Sequence, residues 1–354
     1  MNFTTDATSL SDALRVVLRV VGTSSNPVLS GVHLVAEDGR VRLTGTDLTT
    51  TLEVTVPAEI VEPGSLLLPG KLLGSLLART SGTASLAATA AGATLSVAGV
   101  TTNLRALDPL AFPEPAERPA PTVVVDAESF AAQVRAVTAA VSTDPNRGVL
   151  TGLLMELQDS HLILTATDTY RLITDSRPVE SAAQFSAVVP VSALTATAKV
   201  AGEVAISVTD AEIWLHAGEM TVRSRLLAGA YPDWRSLLIY TDADPTLTLP
   251  SADVVELLAR VAPSVGSNRV VEFALVDSEI TLTTRGDLGS SSGAVAAPAA
   301  DHDLTFSVRL DYLDDALRLV GETAVLTHRE PSRPLMLASP ETTVRCLLMP
   351  IRTP

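Results

Sequence analysis

VLSGVHLVAEDGRVRLTGTD, at residues 28–47, returns as VLTGLLMELQDSHLILTATD at residues 149–168. Both stretches begin with Val, Leu, a hydroxyl residue and Gly, both end in Thr-Asp, and they lie 121 residues apart. Pro69 follows three leucines, and Pro190 follows Ala187-Val188-Val189 at the same spacing. Separate landmarks in one register indicate an internal repeat.

A third copy is fainter. Leu282-Thr283 repeats Leu164-Thr165, and Thr343-Val344-Arg345 repeats Thr221-Val222-Arg223. We therefore predict three domains of similar plan, at residues 1–120, 121–242 and 243–354. The boundaries fall in the Pro-rich segment 111–121 and in the short polar segment 240–245, which are typical of linkers.

Each copy predicts the same order of elements. A helix opens the copy, strands with alternating polarity follow, a second helix comes next, and more strands close it. Leu10, Leu14, Val17 and Val21 would share one face of the first helix. The pattern predicts an α+β fold in which two helices per domain pack on antiparallel sheets. The six predicted helices span residues 10–20, 70–79, 129–141, 191–200, 252–261 and 310–320.

Composition excludes several classes of protein. The 354 residues are 46% hydrophobic, 18% charged and only 3% aromatic, which is typical of globular domains with aliphatic cores. No apolar run reaches about 18 residues, and the N-terminus lacks the features of a signal peptide, so we expect a cytoplasmic protein without a membrane span. The single cysteine, Cys346, excludes an intramolecular disulfide, and we expect it to be a buried strand residue.

The net charge of −15 argues, on average, against binding to nucleic acid. The distribution of charge argues otherwise, because every predicted helix carries or adjoins a basic residue. A helix also needs polar side chains on its solvent face, so that simpler explanation stays open for each position. These basic residues are Arg15, Arg19, Lys71, Arg79, Arg135, Lys199, Arg260 and Arg318.

Catalytic motifs are weak. Gly289-Ser290-Ser291-Ser292-Gly293 fits the G-x-S-x-G pattern, but it lies in the Gly/Ser/Ala-rich segment 286–300, which we expect to be a flexible loop rather than a strand-to-helix elbow. Asp47 and Asp168 occupy matching repeat positions and are expected to form turn hydrogen bonds. We expect no enzyme activity, no metal and no cofactor. The histidines, which lack metal-ligand spacing, are His33, His161, His216, His302 and His328.

Five short sequence segments, in a fixed order along the chain, carry a family resemblance. They are Asn26 to Gly31, Gly45 to Leu48, Ala166 to Leu172, Arg225 to Arg235 and Leu347 to Arg352. Together with the threefold repeat, this order resembles the bacterial DNA sliding clamp, the beta subunit of DNA polymerase III. The resemblance implies a head-to-tail homodimeric ring of six domains, with helices lining a central hole and sheets outside.

The resemblance also implies partners. Double-stranded DNA would pass through the ring without sequence readout, and short peptides of the DNA polymerase III catalytic subunit and of the clamp loader would bind a pocket between the second and third domains.

Leu76 and Leu104 are expected at the dimer interface, with Leu104 on an end strand that pairs with the third domain of the next subunit. The DNA-facing candidates are the eight basic residues above together with Arg147. The pocket candidates are Leu150, Thr167, Thr169, Tyr170, Arg171, Leu172, Ile239, Leu347, Met349, Pro350 and Ile351.

Three positions depart from the family pattern. The family usually has Gly, then His or an aromatic residue, where Thr169 and Tyr170 stand, and a Pro where Ile239 stands. These departures favour a pocket with its own peptide selectivity. They also leave an alternative open: a divergent clamp paralogue that binds peptides without serving processive replication.

Overall fold

The computed structural model describes residues 1–22, 26–114, 116–241, 244–298, 302–329 and 333–352. The predicted linkers and the segment 286–300 extend partly outside these ranges. Within the ranges, no helix is long and apolar enough to cross a membrane.

In its described residues, the first repeat has two α-helices and nine strands. Its elements in chain order are β1 (Asn2–Asp6), α1 (Ala7–Val17), β2 (Gly31–Glu37), β3 (Arg40–Thr46), β4 (Thr50–Pro57), β5 (Glu59–Glu62), β6 (Gly64–Pro69), α2 (Gly70–Leu77), β7 (Thr83–Thr89), β8 (Gly92–Val97) and β9 (Val100–Arg105). Asp6 begins α1 as its N-cap, because its Oδ1 accepts a hydrogen bond from the Ser9 backbone N–H at 2.7 Å. Helix α1 therefore starts three residues before the predicted Leu10.

The second repeat follows the same plan. Its elements are β10 (Val123–Asp126), α3 (Ala127–Thr138), β11 (Gly152–Gln158), β12 (His161–Thr167), β13 (Arg171–Pro178), β14 (Phe185–Pro190), α4 (Val191–Ala196), β15 (Glu203–Val208), β16 (Glu212–Ala217) and β17 (Met220–Arg225). Strands β2, β3 and β6 return as β11, β12 and β14 at the spacing of 121 residues. A 3-10 segment, Pro145–Thr151, precedes β11, and another, Arg235–Leu237, follows β17.

The third repeat closes the chain. Its elements are β18 (Thr246–Pro250), α5 (Ser251–Val261), β19 (Val270–Val276), β20 (Glu279–Gly286), β21 (Gly289–Ala296), β22 (Leu304–Arg309), α6 (Leu310–Val320), β23 (Thr323–Thr327), β24 (Leu335–Ala338) and β25 (Val344–Leu348). All six predicted helices are present, and the predicted bounds of α6 match. The expected α+β class with antiparallel sheets is confirmed.

One expectation was wrong. The Gly/Ser/Ala-rich segment forms strand β21, which pairs with β20 from Glu279↔Ala296 to Gly286↔Gly289. Small side chains do not prevent strand formation when a neighbouring strand supplies the hydrogen bonds. The G-x-S-x-G pattern therefore lies along a strand and does not form a strand-to-helix elbow.

The chain forms two compact units. The first contains Met1–Ala131 and Ser192–Leu226, and the second contains Ala132–Val191 and the chain from Leu227 onward. The three-domain boundaries near residues 120 and 242 concern the repeats, and they stay a prediction.

The first unit holds a five-stranded sheet, ordered β5-β1-β7-β8-β9, and an eight-stranded sheet, ordered β10-β15-β16-β17-β4-β3-β2-β6. One apolar core joins α1, α2 and both sheets, and the predicted stripe of Leu10, Leu14, Val17 and Val21 is buried in it. Gly74 allows the two helices to approach, because a Cβ there would lie 2.6 Å from Leu18 Cδ1.

The second unit repeats this pairing of sheets. An eight-stranded sheet is ordered β14-β11-β12-β13-β25-β24-β23-β18, and a four-stranded sheet is ordered β21-β20-β19-β22. Cys346 is buried in β25, as expected, and burial raises the pKa of its thiol to about 12.

Candidate functional site

The turn between β12 and β13 is built by Asp168. Its Oδ1 accepts hydrogen bonds from the backbone N–H groups of Tyr170 and Arg171, both at 2.9 Å. Asp47 forms the same bonds with Thr49 and Thr50 in the first repeat. The predicted turn role of both aspartates is therefore confirmed.

This turn holds Thr169 in an unusual backbone conformation. Its φ is +77°, in the left-handed region, which a β-branched residue rarely adopts. Two contacts from Arg147 Nη1 hold it there: one to the Asp168 carbonyl oxygen at 2.6 Å and one to Thr169 Oγ1 at 3.0 Å. Such a fixed turn presents the next side chain, Tyr170, to solvent with 57% of it exposed.

An apolar cluster lies in the second unit on one face of the eight-stranded sheet. Its buried members are Leu154, Leu172, Val188, Trp234 and Leu347. Partly buried side chains packed on it are Val149, Ile163, Leu227, Tyr231, Leu238, Tyr240 and Met336. We call this set the apolar cluster.

Four large side chains lie one or two residues along the chain from members of the apolar cluster and are exposed, and we call them the rim. Tyr170, Leu237, Ile239 and Met349 are each more than a third exposed, which is unusual for side chains of their size. The Met349 backbone N–H donates to the Tyr170 carbonyl oxygen at 2.9 Å, so these two rim residues are held side by side. Large apolar side chains that stay exposed this near to an apolar cluster along the chain indicate a contact surface.

The structure brings most of the predicted pocket residues together. Leu172 and Leu347 are direct partners on β13 and β25. Thr167 lies at the end of β12, and its backbone N–H donates to the Tyr231 hydroxyl at 3.1 Å. Pro350 and Ile351 are half-buried in the segment after β25. Leu150 is half-buried in the 3-10 segment before β11, and its neighbour Val149 makes the contact with the apolar cluster.

Arg171 is fixed by its neighbours. Its Nη1 donates to Asp315 Oδ2 at 2.7 Å, its Nε donates to Asp168 Oδ2 at 3.3 Å, and its guanidinium lies 4.1 Å from the centre of the Tyr312 ring. Only 13% of the side chain is exposed. Arg171 therefore braces the turn against α6.

Sequence reasoning missed the part of the cluster that follows β17. Trp234 donates from Nε1 to Glu156 Oε2 at 3.1 Å, and Arg235 pairs with the same carboxylate. Burial raises the pKa of the Tyr231 hydroxyl to about 12. In the sequence, the segment from Arg225 to Arg235 is a family landmark with no predicted place in the pocket. Its aromatic residues, Tyr231 and Trp234, are the sequence signal that could have placed this segment in the cluster.

Eight of the nine DNA-facing candidates are exposed on helices or just beyond them. Three of these pair with acidic residues of their own helix: Arg15 with Asp12, Arg260 with Glu256 and Arg318 with Asp314. Among the described residues, no ion pair engages the other five, which are Arg19, Lys71, Arg79, Arg135 and Lys199. Arg147 differs from all eight, because its guanidinium is bound to the turn at Asp168.

The two dimer candidates lie in the first unit. Strand β9 is an edge of the five-stranded sheet, as expected for Leu104, but the Leu104 side chain is only 4% exposed and packs in the core. Leu76 on α2 is half-buried against that core. A contact through β9 would therefore use its backbone and its outward side chains.

Two of the five histidines, which lack metal-ligand spacing in the sequence, meet in space. His302 Nε2 and His328 Nε2 lie 2.7 Å apart, so one ring donates a hydrogen bond to the other. Across the described ranges, no group of three or more His, Cys, Asp or Glu side chains could hold a metal ion.

Comparisons with known proteins agree along the chain. The family model described as DNA polymerase III beta subunit, N-terminal domain, matches residues 1–99, and the one described as its central domain matches residues 124–233. These two ranges together include more than half of the chain.

Whole relatives match as well. The beta sliding clamp of Bacillus subtilis is 26% identical over 383 residues, with 100% of each chain covered, and that of Streptomyces coelicolor is 28% identical over 352 residues, with 92% of each covered. The crystal structure of the DNA polymerase sliding clamp from Bacillus subtilis has a TM-score of 0.94 at 24% identity, and that of the DNA polymerase III subunit beta from Pseudomonas aeruginosa has 0.92 at 23%, each with 100% of both chains covered. The chain belongs to the DNA polymerase III beta subunit family, the family of the bacterial beta sliding clamps.

Proposed function

We propose that the chain is a DNA sliding clamp, a ring that encircles duplex DNA and tethers DNA polymerase III and other clamp-binding proteins. The observation that carries this proposal is the apolar cluster with its exposed rim, in a chain of the clamp family. Membership along the whole chain favours this function over that of a divergent paralogue without a replication role. The clamp itself would perform no reaction.

The apolar cluster is the proposed peptide site. Tyr170, Met349 and Ile239 offer apolar contacts at the rim, and Leu172 and Leu347 form the floor. Two apolar anchors of a peptide would contribute about 3–6 kcal/mol before the entropy cost of association is subtracted. That balance suits a reversible tether, which a clamp needs because its partners exchange.

The basic residues on the helices are the proposed DNA contacts. Five of them are exposed and unpaired among the described residues, and Lys and Arg side chains bind phosphates without reading sequence. The ion pairs of Arg15, Arg260 and Arg318 would weaken three further contacts. A ring is held on DNA by its topology, so weak contacts suffice and allow sliding.

A head-to-tail dimer would join two edge strands. Strand β9 is an edge of the five-stranded sheet, and β21 is an edge of the four-stranded sheet. We propose that β9 of one subunit adds to β21 of the next, which would satisfy the free backbone groups of both edges. The small side chains of β21, Gly289 to Ala296, would allow a close approach.

Retention on circular DNA tests the clamp function. The chain would be loaded by a bacterial clamp loader onto nicked circular DNA and passed through gel filtration. We expect it to elute with the circle and to be released when the DNA is cut once. A chain that is never retained on the circle would refute the proposal.

Sedimentation tests the dimer separately. The chain of 36.9 kDa is expected to sediment at twice that mass, and Val100→Arg, at an exposed position of β9, is expected to yield monomers. Leu110→Arg, exposed outside the strand, serves as the control. An unchanged mass for Val100→Arg would exclude β9 from the interface.

A further inference from the structure

The two eight-stranded sheets are equivalent strand by strand. In the first unit the central order is β16-β17-β4-β3-β2, and in the second it is β24-β25-β13-β12-β11. The registers agree as well. In the first unit, Thr51 on β4 pairs with Arg223 on one side and with Thr46 on the other. In the second unit, Leu172 on β13 pairs in the same way with Leu347 and with Thr167. The face that carries the apolar cluster therefore has a counterpart in the first unit.

That counterpart contains a cavity of about 380 Å³. Its floor is formed by side chains of the five strands, and residues 112–114, 116 and 118 border it. Trp214 and Phe112 are buried in its wall, and the Phe112 ring lies 5.2 Å from that of His33. Phe112-Pro113 matches Tyr231-Pro232 of the second repeat, and Tyr231 belongs to the apolar cluster.

The equivalent positions differ in polarity. His33 stands where the apolar cluster has Leu154, Arg42 where it has Ile163, Thr51 where it has Leu172, Arg223 where it has Leu347 and Trp214 where it has Met336. The fold thus repeats the concave face but replaces its aliphatic lining with hydrogen-bonding and charged groups. A ligand for this cavity must therefore be polar.

Among the charged side chains on the cavity floor, one carboxylate has no ion pair with another described residue. Arg42 pairs with Glu37 at 2.8 Å, and Arg223 forms two hydrogen bonds with Glu212, at 2.9 and 2.7 Å. Glu53, at the centre of β4, has a hydrogen bond from the Thr44 hydroxyl, and among the described residues it has no ion pair. The exposed Arg118 influences the Glu53 carboxylate only by long-range electrostatic attraction and forms no ion pair with it.

The position of Glu53 disfavours its charged form. It is half-buried, and burial raises the pKa of its carboxyl, with Arg42 and Arg118 acting in the opposite direction. The direct partners of Glu53 across the sheet are Thr221 on β17 and Thr44 on β3. His216 on β16 lies beyond Thr221, and His33 on β2 lies beyond Thr44. Burial lowers the pKa of both imidazoles, which favours their neutral forms. A cation entering the cavity would meet a carboxylate flanked by hydroxyl and imidazole acceptors.

We propose that this cavity is a second peptide site, which binds an arginine side chain of an extended segment with Glu53 as its counter-ion. A guanidinium is planar, so it can form paired hydrogen bonds with the carboxylate while its flat face lies against Trp214 or Phe112. The proposal depends on the cavity and on the repeat, and it does not require that the apolar cluster bind peptides.

Fluorine NMR can test the two sites separately. The chain has two tryptophans, Trp214 in the cavity and Trp234 in the apolar cluster, so 5-fluorotryptophan labelling gives one signal for each. Trp214→Phe assigns the signals. The full-length chain would be titrated with acetyl-Ala-Arg-Ala-amide and with the same peptide carrying citrulline, the neutral isostere of arginine.

We expect the arginine peptide to shift the Trp214 signal in a saturable way and to leave the Trp234 signal in place. Citrulline in the peptide, or Glu53→Gln in the protein, should weaken binding at least tenfold. Glu279→Gln, at an exposed position at the start of β20, should leave it unchanged. His33→Leu, which restores the residue type of the apolar cluster, should also abolish the shift and serves as a second variant if Glu53→Gln folds poorly.

Two results would overturn the proposal. One is an unmoved Trp214 signal, and the other is equal binding of the arginine and citrulline peptides. A lysine peptide that binds as well as the arginine peptide would overturn the assignment to a guanidinium. Loss of clamp activity in the circular-DNA experiment would leave all these outcomes unaffected, because they concern a separate face.

Discussion

Asp315, on helix α6, accepts a hydrogen bond of 2.7 Å from Arg171 at the start of β13. Arg171 in turn contacts Asp168, the residue that builds the turn carrying Tyr170. This chain of contacts ties the rim of the proposed peptide site to a helix that carries a DNA-facing candidate, Arg318.

Asp315→Asn is expected to loosen the turn. The amide keeps the size of the side chain but loses the charge that holds Arg171, so stability should fall by about 1 kcal/mol and peptide affinity several-fold. Urea unfolding and fluorescence titration with a clamp-binding peptide measure the two effects. Asp314→Asn is the control, since Asp314 pairs with exposed Arg318. Equal losses in both variants would contradict a specific role for Asp315.

Met349→Ala should separate peptide binding from folding. Met349 is 38% exposed, so removing its side chain costs little stability but takes away an apolar contact at the rim. We expect peptide affinity to fall about tenfold, as for the loss of a good part of one buried side chain. Val276→Ala, exposed at the end of β19, should not change affinity. Unchanged binding by Met349→Ala would remove it from the site.

The unpaired basic residues should govern salt dependence. Arg19→Ala and Lys71→Ala are each expected to reduce the slope of log affinity against log salt by about 0.9, measured by fluorescence anisotropy on linear duplex DNA. Arg15→Ala should have a smaller effect, because Arg15 already pairs with Asp12. Identical slopes in all variants and the wild-type chain would show that these residues do not contact phosphates.

The histidine pair predicts a loss of stability in mild acid. Burial, and next His302, lower the pKa of the His328 imidazole below its ordinary value of 6.5. Between the lowered pKa and 6.5 the unfolded chain binds more protons than the folded one, so stability rises with pH in this window and falls on acidification. His33 and His216 act in the same direction.

His328→Gln should therefore flatten the pH dependence of the free energy of unfolding below about pH 6.5. The glutamine can still hydrogen bond with His302 but does not titrate. His161→Gln, at an exposed position of β12, is the matched control for the substitution itself. A curve that stays as steep in His328→Gln as in the wild-type chain would count against the pair.

Local and repeated features could be predicted from sequence. The spacing of 121 residues located the equivalent strands, the apolar stripe of Leu10, Leu14 and Val17 identified the buried face of α1, and Asp47 and Asp168 were correctly expected in turns. These features depend on neighbours along the chain or on a pattern that occurs more than once, so their signal is present in the residues themselves.

Other features needed the tertiary structure. The strand β21 depends on pairing with β20, because its own small side chains have weak preference for a strand. Arg147 and Arg171 are bound to the turn through contacts that their positions in the sequence do not reveal. Trp234 reaches the apolar cluster through the chain after β17, and His302 meets His328 across 26 residues.

The sequence by itself thus determined the repeat, the six helices and the family, because periodicity and ordered motifs are local properties that repetition reinforces. The tertiary structure alone decided which side chains meet on the faces of the two eight-stranded sheets. Each of those sheets joins strands from two repeats, as β4 pairs with β17 and β13 with β25. The register of such distant strands decides which side chains lie together on a face, and no single segment contains that information.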